Sequence, residues 1–221
     1  MCVPQKGTEG SNPSLSAKAR KSYQLTVAGF FYFYLMDTTN FLDSSLREFR
    51  YYKSLGEKTI TQLQDDDLSW QYHEEANSIA IIVKHMHGNM LSRWTDFLTT
   101  DGEKEWRNRD GEFINDKAGK SAVLKLWQEG WDSVFNAISH LSPEDLDTIV
   151  YIRNQGHTVT EAIQRQIAHY AYHTGQIVLI GKMITGDKWQ SLSIPKNKSA
   201  DFNQTLFSEE KSRKHFTDTN Q

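Results

Sequence analysis

Apolar residues recur at spacings of three and four along much of the chain, the pattern of helices that bury one face. Leu42, Leu46 and Phe49, for example, lie on one such stripe. Residues 14–142 contain no proline, so no helix-breaking ring interrupts the early part of this pattern. We expect four long helices, over about residues 39–63, 77–99, 121–141 and 159–185. The pattern predicts an all-α fold, a four-helix bundle.

Polar residues at the ends of these stretches predict where the helices start and stop. Asn77 and Ser121 stand where they can cap the second and third helices. Thr158 and Glu161 have the spacing of a capping box, in which each side chain accepts a hydrogen bond from a backbone amide of the other residue. Gly186 is expected to end the fourth helix.

The segments between the helices differ in composition. Residues 64–76 are acidic and aperiodic, and residues 101–120 are dense in Gly, Asp, Asn and Arg, so both read as loops. Long loops in compact domains often have a function. We expect irregular structure over 144–157, with a short extended piece at 148–152, and an extended tail from 189 onward.

The N-terminal segment lacks the pattern of the rest. Residues 1–21 are rich in Gly, Ser, Pro and Lys, and the apolar run that follows, 25–36, has 12 residues, fewer than the roughly 20 that span a bilayer. We interpret residues 1–35 as disordered or as a mis-called N-terminal extension. The helical domain then covers 36–205, and 206–221 form a disordered tail.

The charge and the cysteine content of the chain argue against some kinds of function and of covalent structure. The net charge is −3 and the predicted helical region contains no basic block, which argues against nucleic-acid binding. Cys2 is the single cysteine, so an internal disulfide is excluded. We expect a cytoplasmic protein with neither nucleic-acid nor membrane partners.

Histidines carry the candidate chemistry. His169 and His173 are four residues apart on the predicted fourth helix, so they share a face and can bind one metal ion through two imidazole nitrogens. A third ligand has to come from another helix, and the second helix offers both His85 and His87. Spacing alone leaves the choice between them open.

Four segments, residues 54–63, 77–113, 164–183 and 191–199, carry a resemblance to a known family. Through them, about residues 42–203 resemble the DinB-like (YfiT-like) superfamily of metal-binding helical bundles, in a branch described as a domain of unknown function. The resemblance implies an up-down-down-up bundle that binds zinc, nickel or a similar divalent ion. Carried over by motif, it assigns the metal ligands to His85, His169 and His173.

The resemblance also implies a chemistry, because related proteins include transferases and isomerases that use low-molecular-weight thiols and often form dimers. A three-histidine site leaves a coordination position open, as catalytic zinc sites do. We therefore expect a metal-dependent thiol S-transferase or a hydrolase that acts on a small molecule, in a homodimer. The alternative is a noncatalytic bundle that binds a metal or small ligand as a sensor or carrier.

Residues near these histidines are candidates for orienting a ligand or substrate. Those on the two helices are Asn89, Arg93, Tyr170 and Gln176. Residues of the long loop that could cover the pocket are Trp106, Arg107, Arg109, Asp110 and Glu112. The sequence does not single out a general base.

Overall fold

The computed structural model describes residues 40–219, so the predicted N-terminal extension lies outside the described residues. The described part is mostly helical with one small two-stranded sheet, which confirms the helical prediction. The long helices are α1 (40–61), α2 (Ile79–Trp94), α3 (Lys120–Ser139) and α4 (Val159–Thr185). All four lie within the predicted ranges, apart from one residue at the start of α3.

Two of the predicted helix caps are wrong by one or two residues. Ser78, and not Asn77, caps α2, because its hydroxyl accepts from the amide of Ile81 at 3.2 Å. Gly119, with extended backbone, precedes α3, so Ser121 lies inside the helix. Thr158 and Glu161 form the predicted capping box at the start of α4, which confirms that prediction.

The second helix ends about five residues earlier than its apolar spacing predicts. Asp96 has a φ of 48°, a left-handed conformation that a helix does not continue through. Its carbonyl accepts from the amides of Thr99 and Thr100, each at 3.0 Å, and so closes a tight turn. The aromatic side chain of Phe97 still packs on the core, which is why the apolar pattern extends beyond Trp94.

The segment expected to be irregular forms a hairpin. Strands β1 (Ile149–Ile152) and β2 (Gln155–Thr158) pair antiparallel, with Val150 opposite His157. Arg153 and Asn154 make the two-residue turn with φ values of 55° and 59°, the left-handed pair that such hairpins need. The extended piece predicted at 148–152 is thus the first strand, and its partner was missed because β2 has little β-propensity.

The C-terminal region contains a further helix, α5 (Ser199–Phe207), where the sequence predicts an extended tail. Beyond it, the chain returns to α1: Arg47 Nη1 donates to Asp218 Oδ1 at 2.9 Å, and Ser44 Oγ lies 3.1 Å from His215 Nε2. The predicted boundaries at 36, 205 and 206 stay predictions.

The long helices meet around one aromatic side chain. Phe49 of α1 is fully buried, and its ring contacts one aromatic ring from each of α2, α3 and α4. These partners are Trp94 at 6.2 Å, Trp131 at 6.0 Å and Tyr170 at 5.8 Å between ring centroids. Such pairs add to the apolar burial that stabilises the fold. Within residues 40–219, no helix has both the length and the apolarity to cross a bilayer.

Candidate metal centre

Three histidines from two helices come together beside this core. His85 of α2 and His169 and His173 of α4 each offer one ring nitrogen, and these nitrogens lie within 4.8 Å of one another. The Nε2 atoms of His169 and His173 are 3.0 Å apart. His85 and His173 are buried, with 7% and 9% of their surfaces exposed, and His169 is half-buried. Such a group could hold a metal ion.

The structure separates His85 from His87. Two residues along a helix correspond to a rotation of roughly 200°, so the two side chains leave α2 on nearly opposite sides. His85 faces α4, whereas His87 faces α3, where its Nε2 lies 3.5 Å from Glu129 Oε2. His87 is therefore not part of the histidine cluster.

Oxygen acceptors orient two of the three imidazoles through hydrogen bonds to their Nδ1 atoms. Nδ1 of His85 lies 2.9 Å from Glu112 Oε2, and Nδ1 of His173 lies 2.9 Å from Gln176 Oε1. Because a carboxylate or amide oxygen only accepts, each Nδ1 carries the proton and donates. In a neutral imidazole with its proton on Nδ1, the Nε2 lone pair is the one that a metal ion can bind.

Glu112 is held in turn by a buried arginine of the same loop. Arg107 donates from Nε to Oε1 at 2.7 Å and from Nη2 to Oε2 at 2.9 Å. Burial alone would raise the pKa of Glu112, but the hydrogen bonds from His85 and Arg107 and the charge of Arg107 lower it. Glu112 is therefore an anion beside the histidine cluster.

The same surroundings keep the two histidines of α4 neutral. Burial, and then the neighbouring His173 and His85, lower the pKa of His169 to about 3. Burial also lowers the pKa of His173, against the raising effect of its hydrogen bond to Gln176. Neutral imidazoles are the form that binds a metal ion, so the site needs no proton release from these two groups near neutral pH.

Asn89, one turn after His85, and Tyr170, which follows His169, belong to a buried hydrogen-bonded network. The Tyr170 hydroxyl accepts from Trp94 Nε1 at 3.0 Å and donates to Asn89 Oδ1 at 3.2 Å. Tyr170 is fully buried, and burial raises its pKa. Its neutral hydroxyl therefore links α2 to α4.

Arg93 faces the loop between α2 and α3. Its guanidinium is buried, donates to the carbonyl of Gly102 and pairs with Glu103 at 3.4 Å. The Asp101 carboxylate beside them accepts from the backbone amides of Arg153 and Asn154, each at 2.8 Å. Arg93 thus binds the start of the loop, and Asp101 attaches the same segment to the β1–β2 hairpin.

The sequence predicts Gln176 as a residue that orients a ligand or substrate, but it predicts Glu112 and Arg107 only as residues that could cover the pocket. Glu112 is 27 residues from His85 along the chain, and no spacing rule connects them. Two features of the sequence pointed to a role for this loop: the density of charged residues in 101–120, and the tendency of long loops to be functional.

The donor set fits a divalent transition metal. Zinc–imidazole bonds of about 2.0–2.1 Å in tetrahedral geometry place the nitrogens about 3.3 Å apart. Two of the nitrogens here are 3.0 Å apart and all three lie within 4.8 Å of one another, so small side-chain rotations reach that value. Imidazole nitrogen suits zinc, nickel, copper and iron.

Comparison with known proteins gives one match. No curated protein and no solved structure is significantly similar to this chain. Residues 37–198, which are most of the chain, match the family described as "Protein of unknown function (DUF1572)". The chain belongs to this family of proteins of unknown function.

Proposed function

We propose that the protein is a divalent-metal-dependent enzyme of the DinB-like superfamily, a thiol S-transferase or a hydrolase, with His85, His169 and His173 as ligands. The observation that carries the proposal is the meeting of three imidazole nitrogens from two helices within 4.8 Å. Two of these imidazoles, those of His85 and His173, have an oxygen acceptor at Nδ1, which is typical of ligating histidines.

Helix directions support the bundle that the proposal requires. Phe49 of α1 contacts Tyr170 of α4, and further along both helices Thr59 lies against Gly181, so α1 and α4 run in the same direction. On α2, the His85 ring lies 5.0 Å from that of His173, whereas Trp94, further along α2, bonds to Tyr170, which comes earlier on α4, so α2 runs against α4.

The third helix completes the pattern. Trp127 donates from its ring nitrogen to the carbonyl of Lys53 at 3.3 Å, whereas Trp131, one turn on, contacts Phe49, one turn back. The helices α1 and α3 therefore run in opposite directions. Together these contacts support an up-down-down-up four-helix bundle.

The proposed chemistry divides between the ion and the chain. A zinc or nickel ion with three imidazole ligands would supply Lewis acidity at an open coordination position, where a thiol or water loses its proton near neutral pH. The chain keeps His169 and His173 neutral, orients His85 and His173 through their outer nitrogens, and limits water access by burial. The substrate class is a small electrophile, with a low-molecular-weight thiol as co-substrate in the transferase reaction.

The proposal includes a cytoplasmic homodimer. Low-molecular-weight thiols keep the cytosol reducing, which suits a chain without disulfides. Tyr172, Leu179 and Met183 of α4 are 63%, 59% and 51% exposed, and their spacing of seven and four residues puts them on one face. An apolar face of this kind supports self-association.

A groove next to the centre favours the second candidate, a noncatalytic ligand-binding bundle. It has a volume of about 320 Å³, lies between α4 and the segment that leads into α2, and is lined mainly by apolar side chains, among them Trp70, Ile82 and Met183. Gln176, which accepts from His173, also lines it. A small apolar ligand in this groove would lie behind His173, on its Nδ1 side.

Metal analysis of the purified full-length chain tests the site. We expect about one divalent ion per chain, and a loss of most of it in the alanine variants of the three ligands, His85→Ala, His169→Ala and His173→Ala. The matched control is His87→Ala, which removes a histidine of α2 on its other side and keeps the ion. Wild-type protein without metal, or a His87→Ala variant that loses it, contradicts the proposed site.

Turnover separates the two candidate functions. The metal-loaded chain is incubated with small electrophiles and glutathione, bacillithiol or mycothiol, and consumption of the thiol is followed. Turnover that disappears in His169→Ala together with the metal supports the enzyme. Tight binding of a small ligand without turnover across metals and thiols supports the sensor or carrier.

A further inference from the structure

A buried chain of side chains connects the loop between α2 and α3 to the metal centre. Arg107 donates two hydrogen bonds to the Glu112 carboxylate, and Glu112 Oε2 accepts a third from His85 Nδ1 at 2.9 Å. The side chains of Arg107 and Glu112 are only 2% and 7% exposed. Burying an ion pair rarely stabilises a fold beyond an apolar alternative, so stability alone does not account for the arrangement.

We infer that Glu112 is a positioning residue of the metal centre: its carboxylate orients the His85 ring, and Arg107 holds the carboxylate in place. The inference rests on the proposed function, since it takes His85 as a ligand. A carboxylate on the outer nitrogen of a ligating imidazole fixes the tautomer and the ring orientation and raises the basicity of the ligating nitrogen. Gln176 fills the same position behind His173, but as a neutral amide.

Gly88 of α2 gives the carboxylate its room. A Cβ on Gly88 would lie 2.9 Å from Glu112 Cδ and would overlap Oε1. Glycine is unfavourable in the interior of a helix. Its presence at position 88 leaves space for the Glu112 carboxylate, which passes over this position of α2 to reach His85.

The loop is also attached to α2 and to the segment before it, independently of Glu112. Lys84 Nζ donates to Asp116 Oδ2 at 2.8 Å and to the carbonyl of Ile114 at 2.7 Å. Asn115 Nδ2 donates to the carbonyl of Ser69 at 2.9 Å. Lys84 and Asn115 therefore attach the loop to its neighbours, whereas Glu112 contacts His85. The two roles belong to different residues and can be tested separately.

Zinc affinity tests the positioning role. The metal-free full-length chain competes for Zn²⁺ with a chromophoric chelator, as wild type, Glu112→Gln and Asp116→Asn. Glu112→Gln preserves size and shape but removes the charge, and we expect zinc binding to weaken about 10- to 100-fold. Asp116→Asn breaks a loop-to-α2 ion pair without touching His85, and its affinity should stay within about twofold of wild type. Equal affinity in wild type and Glu112→Gln, or an equal loss in both variants, overturns the inference.

A second measurement needs no metal. Nitrogen NMR of the His85 side chain in the metal-free protein reports which ring nitrogen carries the proton. We expect a single Nδ1-protonated tautomer in wild type and a mixture in Glu112→Ala. A wild type that binds no zinc contradicts the proposed function, whereas a His85 tautomer that is unchanged in Glu112→Ala contradicts the positioning role.

Discussion

Replacing Gly88 by alanine tests how firmly the Glu112 carboxylate is held. The added Cβ would lie 2.9 Å from Glu112 Cδ and closer still to Oε1, so the carboxylate has to move. On an unconstrained helix, the same substitution stabilises by about 1 kcal/mol. The sign of the measured change therefore shows which effect is larger.

The contacts of Glu112 set the opposing magnitude. Moving the carboxylate breaks its buried pairing with Arg107, whose side chain is 2% exposed, and its hydrogen bond with His85. Breaking a buried ion pair costs about 3–5 kcal/mol, and we take the lower end because the displaced carboxylate regains water. Subtracting the helix gain of about 1 kcal/mol leaves a net loss of about 2 kcal/mol. For a chain of this length, that is a drop in Tm of about 4–8 °C.

Thermal and urea unfolding of the metal-free protein measure this change. Gly175→Ala is the matched control, because Gly175 lies within α4 and a Cβ there meets no atom of the described residues within 4 Å. We expect Gly175→Ala to stabilise by about 1 kcal/mol, and Gly88→Ala to do the same once Glu112→Ala has removed the carboxylate. A Gly88→Ala variant that is more stable than wild type in the presence of Glu112 would refute the reasoning.

Two further predictions concern pH and the buried tyrosine. The pKa values of His169 and His173 are lowered in the native protein, so the unfolded chain binds more protons as the pH falls below about 6.5, and stability should fall with pH from there toward about pH 3. Urea unfolding of metal-free protein between about pH 7 and pH 5 should show a smaller loss in His169→Gln than in wild type, and equal losses would be evidence against neutral native histidines. Tyr170→Phe leaves Trp94 Nε1 without its acceptor and should cost about 1–3 kcal/mol in urea unfolding. Tyr172→Phe, at a residue that is 63% exposed, should change stability by less than about 0.5 kcal/mol, and similar losses in both variants would contradict the buried network.

The sequence alone determined the features that depend on neighbours along the chain. Apolar spacing located four long helices, because residues three and four apart share one face of a helix. The same local geometry put His169 and His173 side by side, one turn apart. The capping box of Thr158 and Glu161 and the end of α4 at Gly186 also follow from short-range hydrogen bonding and backbone preference.

Tertiary structure decided the contacts between distant segments. Spacing left His85 and His87 equivalent, and family resemblance favoured His85; the packing of α2 between α3 and α4 is what turns His85 toward the pair and His87 toward Glu129. No local rule brings Glu112 to a helix 27 residues away, or opens room for it at Gly88. A chain pattern reports which face of a helix is buried, whereas the partner on that face depends on how the helices pack and how the loops cross them.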